Sequence, residues 1–453
     1  MPNNPILVLG AGRSAGALLD YLNRLAEEQH FRFTLADTNP DVLAGRKDNL
    51  PYADIYPIDN PDDEFPFPVE GHRITISLLP PPLHPKVAKA CLKYGSHLLT
   101  ASYESPQMRE MADEIKAKGL IFMNECGLDP GIDHMSAMEI MDEIKAKGGT
   151  ITGFQSYCGG LVADEDDDNP FRYKISWNPM NVVLAGKGTS RYLENGRQVL
   201  MPYHRLFAET GEIEIPGWGS FETYPNRDSV PYREIYGLEG IQNLKRGTLR
   251  KRGFSARWNA LVQLGMTDDQ SQISFPDKAT YFDYFKTFLP GFRDIHHPFF
   301  DKHLPDLQMR KDIMELGFSP QIEKQLKRKN GTPADFLLDL IVEQWTLKPG
   351  DKDLVVMVHI FQYQSEGIDY ETVSFFSLKG ENENQTAMAK TVGLPLGILA
   401  KCILNNQIKE LGLLLPLKRD IYIPVLKELS TFGVEFKTFS GTTKQSKQQT
   451  EFK

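Results

Sequence analysis

The stretch Pro5-Ile-Leu-Val-Leu-Gly-Ala-Gly-Arg-Ser-Ala-Gly16 joins a short apolar run to a glycine-rich turn. The run Pro5–Leu9 is long enough for a strand buried on both faces of a parallel sheet. A second strand is predicted over Arg32–Ala36, ending on Asp37. Between them, apolar side chains recur at the spacing of one buried helix face, at Ala15, Leu18, Leu19, Leu22, Leu25 and Ala26. The order strand, glycine turn, helix, strand and acid is typical of a dinucleotide-binding site.

Each position of the turn has a physical role in such a site. Gly10 permits the tight turn, and Gly12 lets the backbone approach a pyrophosphate. The third position requires a residue small enough for the helix and strand to pack closely, and it holds Ala15. The helix start offers unpaired N–H groups to phosphate oxygens. An ordinary glycine turn of an α/β protein is the simpler alternative, and it leaves the combined pattern unexplained.

Asp37 bears on the choice of cofactor. A carboxylate at the tip of the second strand can accept hydrogen bonds from both ribose hydroxyls and would repel a 2′-phosphate. The sequence therefore predicts NAD. NADP stays open, because Arg13 or Arg46 could hold a 2′-phosphate.

Composition and charge narrow the class of protein. A chain of 453 residues predicts two or three domains. The net charge of −9 argues against a nucleic-acid partner, and no apolar run reaches the roughly 18 residues of a membrane span. We expect the chain to enter a strand directly, without a signal segment. Four scattered cysteines without metal-ligand spacing indicate reduced thiols, no metal site and a cytoplasmic location.

Strands and helices alternate through about residue 130, which predicts an α/β fold with a doubly wound parallel sheet. Within this region a helix is predicted over Asn39–Leu50. A proline-rich, acidic loop is predicted to follow it through Pro68. The later segments are predicted as short antiparallel strands (175–250), helices without clear strands (255–348), a hairpin (354–378), and an apolar helix and further α/β structure (386–437). A polar tail follows, and it is predicted to be disordered.

Two predicted strand ends carry polar side chains. The hydroxyls of Ser102 and Tyr103 can bind a carboxylate or an amine, although an ordinary turn explains the same residues. Asp129 lies where two predicted domains join, and ligands collect at such joints. Its carboxylate can orient an amine or take its proton, whereas turn chemistry alone also explains Asp129-Pro-Gly. Asp133 and His134 are weaker candidates.

Arginines in two later segments are the best anion-binding candidates outside the cofactor region. Arg227 lies in the turn-rich run Tyr224–Asp228, and further arginines lie in Arg246–Arg252. A guanidinium grips a carboxylate bidentately, which lysine cannot do. For Lys251 and Arg252, a solvated surface is the expected explanation.

Several motifs together resemble saccharopine dehydrogenase of the glutamate-forming type, over nearly the whole chain. These are the glycine turn, Leu78-Leu-Pro80 with His84-Pro85, Thr100–Tyr103, Gly127–His134, Ser156–Leu161, Asn169-Pro170, Tyr173–Trp177, Tyr224–Asp228, Arg246–Arg250 and Lys390–Pro395. The sequence departs from the family pattern at Val162–Glu165, Asn178–Asn181 and Lys251. The resemblance therefore does not determine the exact substrate.

The resemblance implies a fold and a reaction. It implies a Rossmann doubly wound domain (1–130 and 386–440), a mixed α/β substrate and dimerisation domain (131–254 and 350–385) and a helical insertion (255–349), before a disordered tail (441–453). It implies oxidation of saccharopine to L-glutamate and 2-aminoadipate 6-semialdehyde with a nicotinamide cofactor. Some family members run the reaction in reverse with NADPH. A homodimer acting on a small amino-acid substrate is expected, without nucleic-acid or membrane partners.

The resemblance also implies the site residues. The substrate contacts it implies are Ser102, Tyr103, Asp129, Arg227, Thr248, Leu249 and Arg250, with Asp129 and Tyr103 as the catalytic candidates. The cofactor contacts it implies are Gly10, Gly12, Arg13, Ser14, Ala15, Asp37, Ser77, Leu78, Leu79, Ala101, Leu128, Asp129 and Pro130. Tyr157 is a weaker acid–base candidate.

Two other functions remain open from the residues. A carboxynorspermidine synthase-like reductase would share the scaffold, but its polyamine substrate would require more acids and fewer arginines than residues 224–252 hold. A catalytically silent dinucleotide sensor would have no need of the arginines and Asp129.

Overall fold

The computed structural model describes residues 5–59 and 66–442. The chain divides into two compact units. The first comprises Met1–Gly149 and Phe376–Lys437, and the second comprises Thr150–Phe375 and the residues after Lys437. The domain boundaries inferred from the sequence remain a prediction.

The strands of the described residues are β1 Ile6–Leu9, β2 Phe33–Asp37, β3 Ala53–Pro57, β4 Ile74–Ser77, β5 His97–Thr100, β6 Ile121–Met123, β7 Thr150–Val162, β8 Thr189–Glu194, β9 Arg197–Pro202, β10 Gly211–Ile215, β11 Gly219–Pro225, β12 Asn243–Lys251, β13 Ile273–Ser274, β14 Asn330–Gly331, β15 Asp353–Ser365, β16 Ile368–Lys379, β17 Gly412–Leu414 and β18 Lys437–Thr442.

The α-helices of the same residues are α1 Gly16–Glu28, α2 Pro40–Lys47, α3 His84–Tyr94, α4 Pro106–Glu110, α5 Ala112–Ala117, α6 Ile132–Ala146, α7 Pro179–Val183, α8 Tyr203–Leu206, α9 Tyr232–Ile235, α10 Phe254–Leu264, α11 Tyr281–Phe288, α12 Pro298–His303, α13 Leu307–Ile313, α14 Pro333–Trp345, α15 Ala387–Leu404 and α16 Arg419–Ser430.

The first unit is built on a seven-stranded sheet in the order β17-β6-β5-β4-β1-β2-β3. All of its strand pairs are parallel. The four residues of β1 are fully buried in the middle of this sheet, as the apolar run predicts. The predicted α/β class with a doubly wound parallel sheet is confirmed, and the strand from late in the chain, β17, extends it beside β6.

Helix α1 buries the predicted face, including Leu18 and Leu22. Helix α15 packs against it through two glycines. A Cβ atom at Gly393 would lie 2.9 Å from the Leu18 backbone nitrogen, and one at Gly397 would lie 2.6 Å from the Tyr21 ring. Helix α15 is long and apolar enough to cross a membrane, yet 83% of that stretch is buried inside the protein. Its apolar character is explained by this packing.

Two strands differ from the sequence prediction. β3 lies where a proline-rich loop was expected. It is an edge strand beside β2, and its second half is exposed, so no apolar run marks it. Residues 60–65 of the same predicted loop lie outside the described residues.

The start of the predicted disordered tail is also a strand, since β18 pairs with β16. Hydroxyl pairs join the two strands, Thr372 with Ser440 and Ser374 with Thr438, each at 2.8 Å. A strand held by polar side chains carries no hydrophobic signal in the sequence. The rest of the predicted tail, 443–453, lies outside the described residues.

The second unit contains a mixed sheet in the order β10-β11-β12-β7-β15-β16-β18, with β8 and β9 attached through β12. Its central strand β7 runs parallel to β12 and antiparallel to β15. Helices α10 to α14 provide the expected helical region, interrupted by the two-residue strands β13 and β14. These helices share one hydrophobic core with Phe171 and Tyr173, centred on Trp258 and Trp345.

The same substitution at two helical glycines tests the close packing of α1 and α15. Gly393→Ala should lower the free energy of unfolding by about 1–3 kcal/mol, because the added methyl meets the backbone of α1. Gly45→Ala in α2 should raise it by about 0.5–1 kcal/mol, because a Cβ atom there has no neighbour within 4 Å. Urea unfolding followed by circular dichroism measures both. Equal effects at the two positions would contradict the close packing of α1 and α15.

Candidate functional site

The turn after β1 is shaped by two glycines with different surroundings. Gly10 has φ +102° and donates its N–H to the Ala36 carbonyl at 2.9 Å. A Cβ atom there would lie 3.3 Å from the backbone of Leu78. Gly12 is exposed, and a Cβ atom there would have no neighbour within 4 Å. The turn therefore requires glycine at position 10 for its conformation and leaves open space in front of Gly12.

The helix start beyond this turn is available for an anion. A 3-10 turn, Arg13–Ala15, leads into α1, and no side chain caps the first N–H groups of either element. Ala15 is buried as predicted, whereas Arg13 is exposed and Ser14 is half-buried. Phosphate oxygens are suitable acceptors for uncapped N–H groups at such a position.

Asp37 is held at the tip of β2 against the glycine turn. One carboxylate oxygen accepts the Ala11 N–H at 2.7 Å, and the other accepts the Asn39 N–H at 2.8 Å. The Arg46 guanidinium lies nearby, 3.6 Å from where a Cβ atom of Gly16 would be. Open space before Gly12, an uncapped helix start and a fixed carboxylate together fit a dinucleotide.

A buried histidine joins three neighbouring positions at the strand ends. The Nδ1 atom of His84 lies 3.0 Å from the Ser77 hydroxyl, and its Nε2 atom lies 2.8 Å from the Ser102 hydroxyl and 3.1 Å from the Thr100 hydroxyl. Burial lowers the pKa of His84 from 6.5 to about 4, so the ring is neutral at pH 7. His84 thus links a predicted cofactor residue, Ser77, to a predicted substrate residue, Ser102. In the sequence, His84 stands out only as part of the His84-Pro85 motif.

Tyr103 and Asp129 come together as the strand order predicts, since they follow the neighbouring strands β5 and β6. The Tyr103 hydroxyl donates to Oδ1 of Asp129 at 3.2 Å. Asp129 is half-buried between the buried residues Leu128 and Pro130. The other predicted cofactor residues at these strand ends, Leu78, Leu79 and Ala101, are half-buried.

His134, a weaker candidate from the sequence, packs at the start of α6. It is fully buried, and its Nε2 atom lies 2.7 Å from a carboxylate oxygen of Glu125. Asp133 is also buried, and its carboxylate accepts the Gly131 N–H at 2.6 Å.

Arg250 of the second unit is enclosed by aromatic rings. Its guanidinium carbon lies 5.1 Å from the ring centre of Tyr173, 5.7 Å from that of Tyr224 and 5.2 Å from that of Phe254. The side chain is 4% exposed, and its Nη1 atom donates to the Leu249 carbonyl at 3.0 Å. Its buried Nε atom has no hydrogen-bond partner, and among the described residues no acid forms an ion pair with it. A buried cation without an ionic partner favours binding an anion.

The neighbouring predicted substrate residues differ in what they expose. Thr248 is half-buried on the same face of β12 as Arg250. The Leu249 side chain is fully buried in a core cluster with Tyr157, so only its backbone is available for contact. Arg227 is exposed, and its φ of +54° is uncommon for a residue other than glycine. Such backbone conformations cluster at functional sites.

Lys251 corrects one expectation from the sequence. It is 4% exposed instead of solvated, and its ammonium contacts Asp164 at 2.6 Å and Asp167 at 3.2 Å. Because its partners come from the distant acidic loop Asp164–Asp168, the sequence around Lys251 gives no signal of its burial. Arg252 is solvated as expected, with a side chain that is 72% exposed.

Tyr157, the possible metal ligands and the cysteines are the remaining candidate groups. Burial raises the pKa of Tyr157, whose hydroxyl donates to Gln155 at 2.8 Å, so this phenol is a poor base near neutral pH. Within residues 5–59 and 66–442, no three His, Cys, Asp or Glu side chains are grouped to hold a metal ion. The four cysteines are buried, and none of them forms a disulfide.

Comparison with known families matches both parts of the chain. The saccharopine dehydrogenase NADP binding domain matches residues 6–123, and the saccharopine dehydrogenase C-terminal domain matches residues 127–434. The alpha-aminoadipic semialdehyde synthase, mitochondrial, of Rattus norvegicus is 34% identical over 450 residues. That match covers 96% of this chain and 48% of the relative, so the chain spans about half the length of the mammalian relatives it matches.

A fungal relative and two solved structures extend the comparison. Saccharopine dehydrogenase [NADP(+), L-glutamate-forming] of Schizosaccharomyces pombe is 32% identical over 441 residues, covering 95% of this chain and 97% of the relative. The apo saccharopine dehydrogenase (L-Glu forming) of Saccharomyces cerevisiae has a TM-score of 0.84 at 29% identity, covering 96% of this chain and 99% of that one. A homospermidine synthase from Legionella pneumophila shares the fold, with a TM-score of 0.57 at 10% identity, covering 97% and 91%.

The low pKa of His84 should make stability depend on pH. The unfolded chain takes up this proton near pH 6.5 and the folded protein near pH 4, so the contribution of His84 is present above pH 6.5 and is lost as the pH falls toward 4. The full loss is about 3 kcal/mol. His84→Gln should therefore flatten the fall in unfolding free energy between these pH values, measured by urea unfolding. His296→Gln, at an exposed site, is the control, and parallel curves for wild type and His84→Gln would refute the assignment.

Proposed function

Because the chain belongs to the saccharopine dehydrogenase family, we propose that it oxidises saccharopine with a nicotinamide cofactor. Saccharopine joins lysine and glutamate through one secondary amine. Oxidation at the carbon next to that nitrogen gives an imine, and water cleaves it to L-glutamate and 2-aminoadipate 6-semialdehyde. The bound nicotinamide ring accepts the hydride. The overall reaction consumes one water and releases one proton.

The observation that carries this proposal is the enclosed guanidinium of Arg250. Burying a charge without a partner is unfavourable, and the aromatic rings around Arg250 supply neither a negative charge nor an acceptor for its Nε atom. A substrate carboxylate supplies both, with the bidentate geometry that a guanidinium prefers. Saccharopine carries three carboxylates, so Arg227 is assigned to another of them, with Thr248 and the Leu249 backbone completing this part of the site.

Tyr103 and Asp129 are assigned to the reacting amine. Hydride departure requires a deprotonated nitrogen, and a carboxylate within hydrogen-bonding distance can take that proton. The Tyr103 hydroxyl donates to Asp129 and so keeps the carboxylate in one orientation. The Ser102 hydroxyl, held by His84, offers a further polar contact to the substrate. The carbon next to the amine loses the hydride, and holding that carbon about 3–3.5 Å from the hydride-accepting carbon of the nicotinamide would supply much of the rate enhancement.

The proposed cofactor is NAD. It would rest on Gly10, Gly12 and the helix start, with Ser77–Leu79, Ala101 and Leu128–Pro130 near its nicotinamide end. The fixed carboxylate of Asp37 would accept the ribose hydroxyls and repel a 2′-phosphate. The names of the fungal relatives give NADP(+), and Arg13 or Arg46 would be the residue that holds its 2′-phosphate. A homodimer and a cytoplasmic location complete the proposal.

Turnover with each cofactor tests both the reaction and the role of Asp37. Saccharopine with the purified chain should produce reduced nicotinamide, measured by its absorbance, with kcat/KM at least about tenfold higher for NAD than for NADP. Asp37→Ala should narrow that ratio, because the charge that repels the 2′-phosphate is removed. Absence of turnover with either cofactor would refute the proposed reaction. A wild-type preference for NADP would refute the assignment of Asp37.

Replacing Arg250 should lower the activity of the protein without lowering its stability. Arg250→Met keeps an unbranched side chain in the aromatic enclosure and removes an unpaired buried charge, so the thermal midpoint should stay equal or rise. The kcat/KM for saccharopine should fall by at least about thirtyfold, since a buried charge pair with the substrate is lost. Arg252→Met, at an exposed position, is the matched control and should change neither. Wild-type kinetics in Arg250→Met would exclude this residue from the site.

A further inference from the structure

Glu125 is a buried acid that the proposed reaction does not use. It follows β6, is 4% exposed, and has φ +60°, a left-handed conformation that residues other than glycine seldom adopt. Its partner His134 is fully buried in the first turn of α6. The Nε2 atom of His134 lies 2.7 Å from Oε2 of Glu125. When Glu125 is ionised its carboxylate can only accept, and Nε2–H of His134 is then the donor.

Glu125 holds the backbone on both sides of Tyr103. Its N–H donates to the Ser102 carbonyl at 3.0 Å, and its Oε1 atom accepts the Glu104 N–H at 3.1 Å. With its backbone in this left-handed conformation, Glu125 binds the loop Ser102–Glu104 through both its backbone N–H and its carboxylate. The position of the Tyr103 backbone is therefore set by Glu125.

His134 connects the same carboxylate to the turn that carries Asp129. The backbone N–H of His134 donates to the Gly131 carbonyl at 3.0 Å, and Gly131 ends the run Asp129-Pro130-Gly131. The Asp133 carboxylate accepts the Gly131 N–H at 2.6 Å and fixes this turn from the other side. A continuous set of hydrogen bonds thus runs from the loop of Tyr103 through Glu125 and His134 to the turn of Asp129.

We propose that Glu125 and His134 are positioning residues that place the Tyr103 hydroxyl on the Asp129 carboxylate. The proposal rests on the proposed function, in which this hydroxyl–carboxylate pair handles the substrate amine. An apolar pair of similar volume would pack at this site without the desolvation of two polar groups. The polar pair supplies what an apolar pair cannot, namely directed hydrogen bonds to two loops.

A double-mutant cycle tests the coupling to Tyr103. Glu125→Gln keeps the shape but leaves one acceptor oxygen for two donors, the Glu104 N–H and His134. It should lower kcat at least about tenfold, while the Kd for the cofactor stays within about twofold. Combined with Tyr103→Phe, it should lower kcat no further than Tyr103→Phe alone, because both changes remove the same hydroxyl contact. Asp142→Asn, a control on the same helix whose carboxylate accepts from Tyr422, should leave kcat unchanged.

Two results would overturn the proposal. One is a double variant slowed by the product of the two single effects, and the other is a slow Glu125→Gln enzyme together with a wild-type rate in Tyr103→Phe. If Glu125→Gln does not fold, His134→Gln takes its place in the same cycle.

Failure of the proposed function would be recognised separately. If the wild-type chain does not turn over saccharopine, a crystal structure of Glu125→Gln decides the positioning role. A separation of the Tyr103 hydroxyl from the Asp129 carboxylate beyond about 3.5 Å supports the proposal, and a retained hydrogen bond overturns it.

Discussion

The hydrogen bond from the Ala11 N–H to the Asp37 carboxylate joins the ends of two neighbouring strands of the first unit, β1 and β2. Strands β1 and β2 pair with Leu9 opposite Ala36, so the turn after one strand and the acid after the other meet at the same edge of the sheet. A single carboxylate then holds the shape of the glycine turn and places a negative charge beside the open space at Gly12. The shape of the turn and the proposed recognition of the cofactor therefore depend on the same carboxylate.

Much of the first unit follows from its sequence, because its interior strands are short apolar runs and its helices carry one buried face. Helix α1 buries the predicted apolar face, and α15 is the apolar helix that was predicted within residues 386–437. The strands that were not predicted, β3 and β18, lie at the edges of their sheets, and most of their residues are exposed or half-buried. An edge strand buries only part of its surface, so its sequence carries little of the hydrophobic pattern on which such predictions depend.

The candidate site was predictable where it depends on strand order and unpredictable where it depends on side-chain pairing. Tyr103 and Asp129 meet because consecutive parallel strands bring their ends together. The enclosure of Arg250 depends on Tyr173 and Tyr224, which are far from it in the sequence and approach it only in the folded chain. The burial of Lys251 depends in the same way on the acidic loop at Asp164. Local sequence does not contain these distant partners.

The divided first unit has a consequence for how the protein is made. Its two segments are separated in the chain by the whole of Thr150–Phe375. A ribosome delivers the amino-terminal segment first, so the face of α1 that packs on Gly393 and Gly397 emerges well before its covering helix exists. The nascent chain therefore carries an exposed apolar surface throughout synthesis of the second unit, and such a surface is a natural target for chaperones.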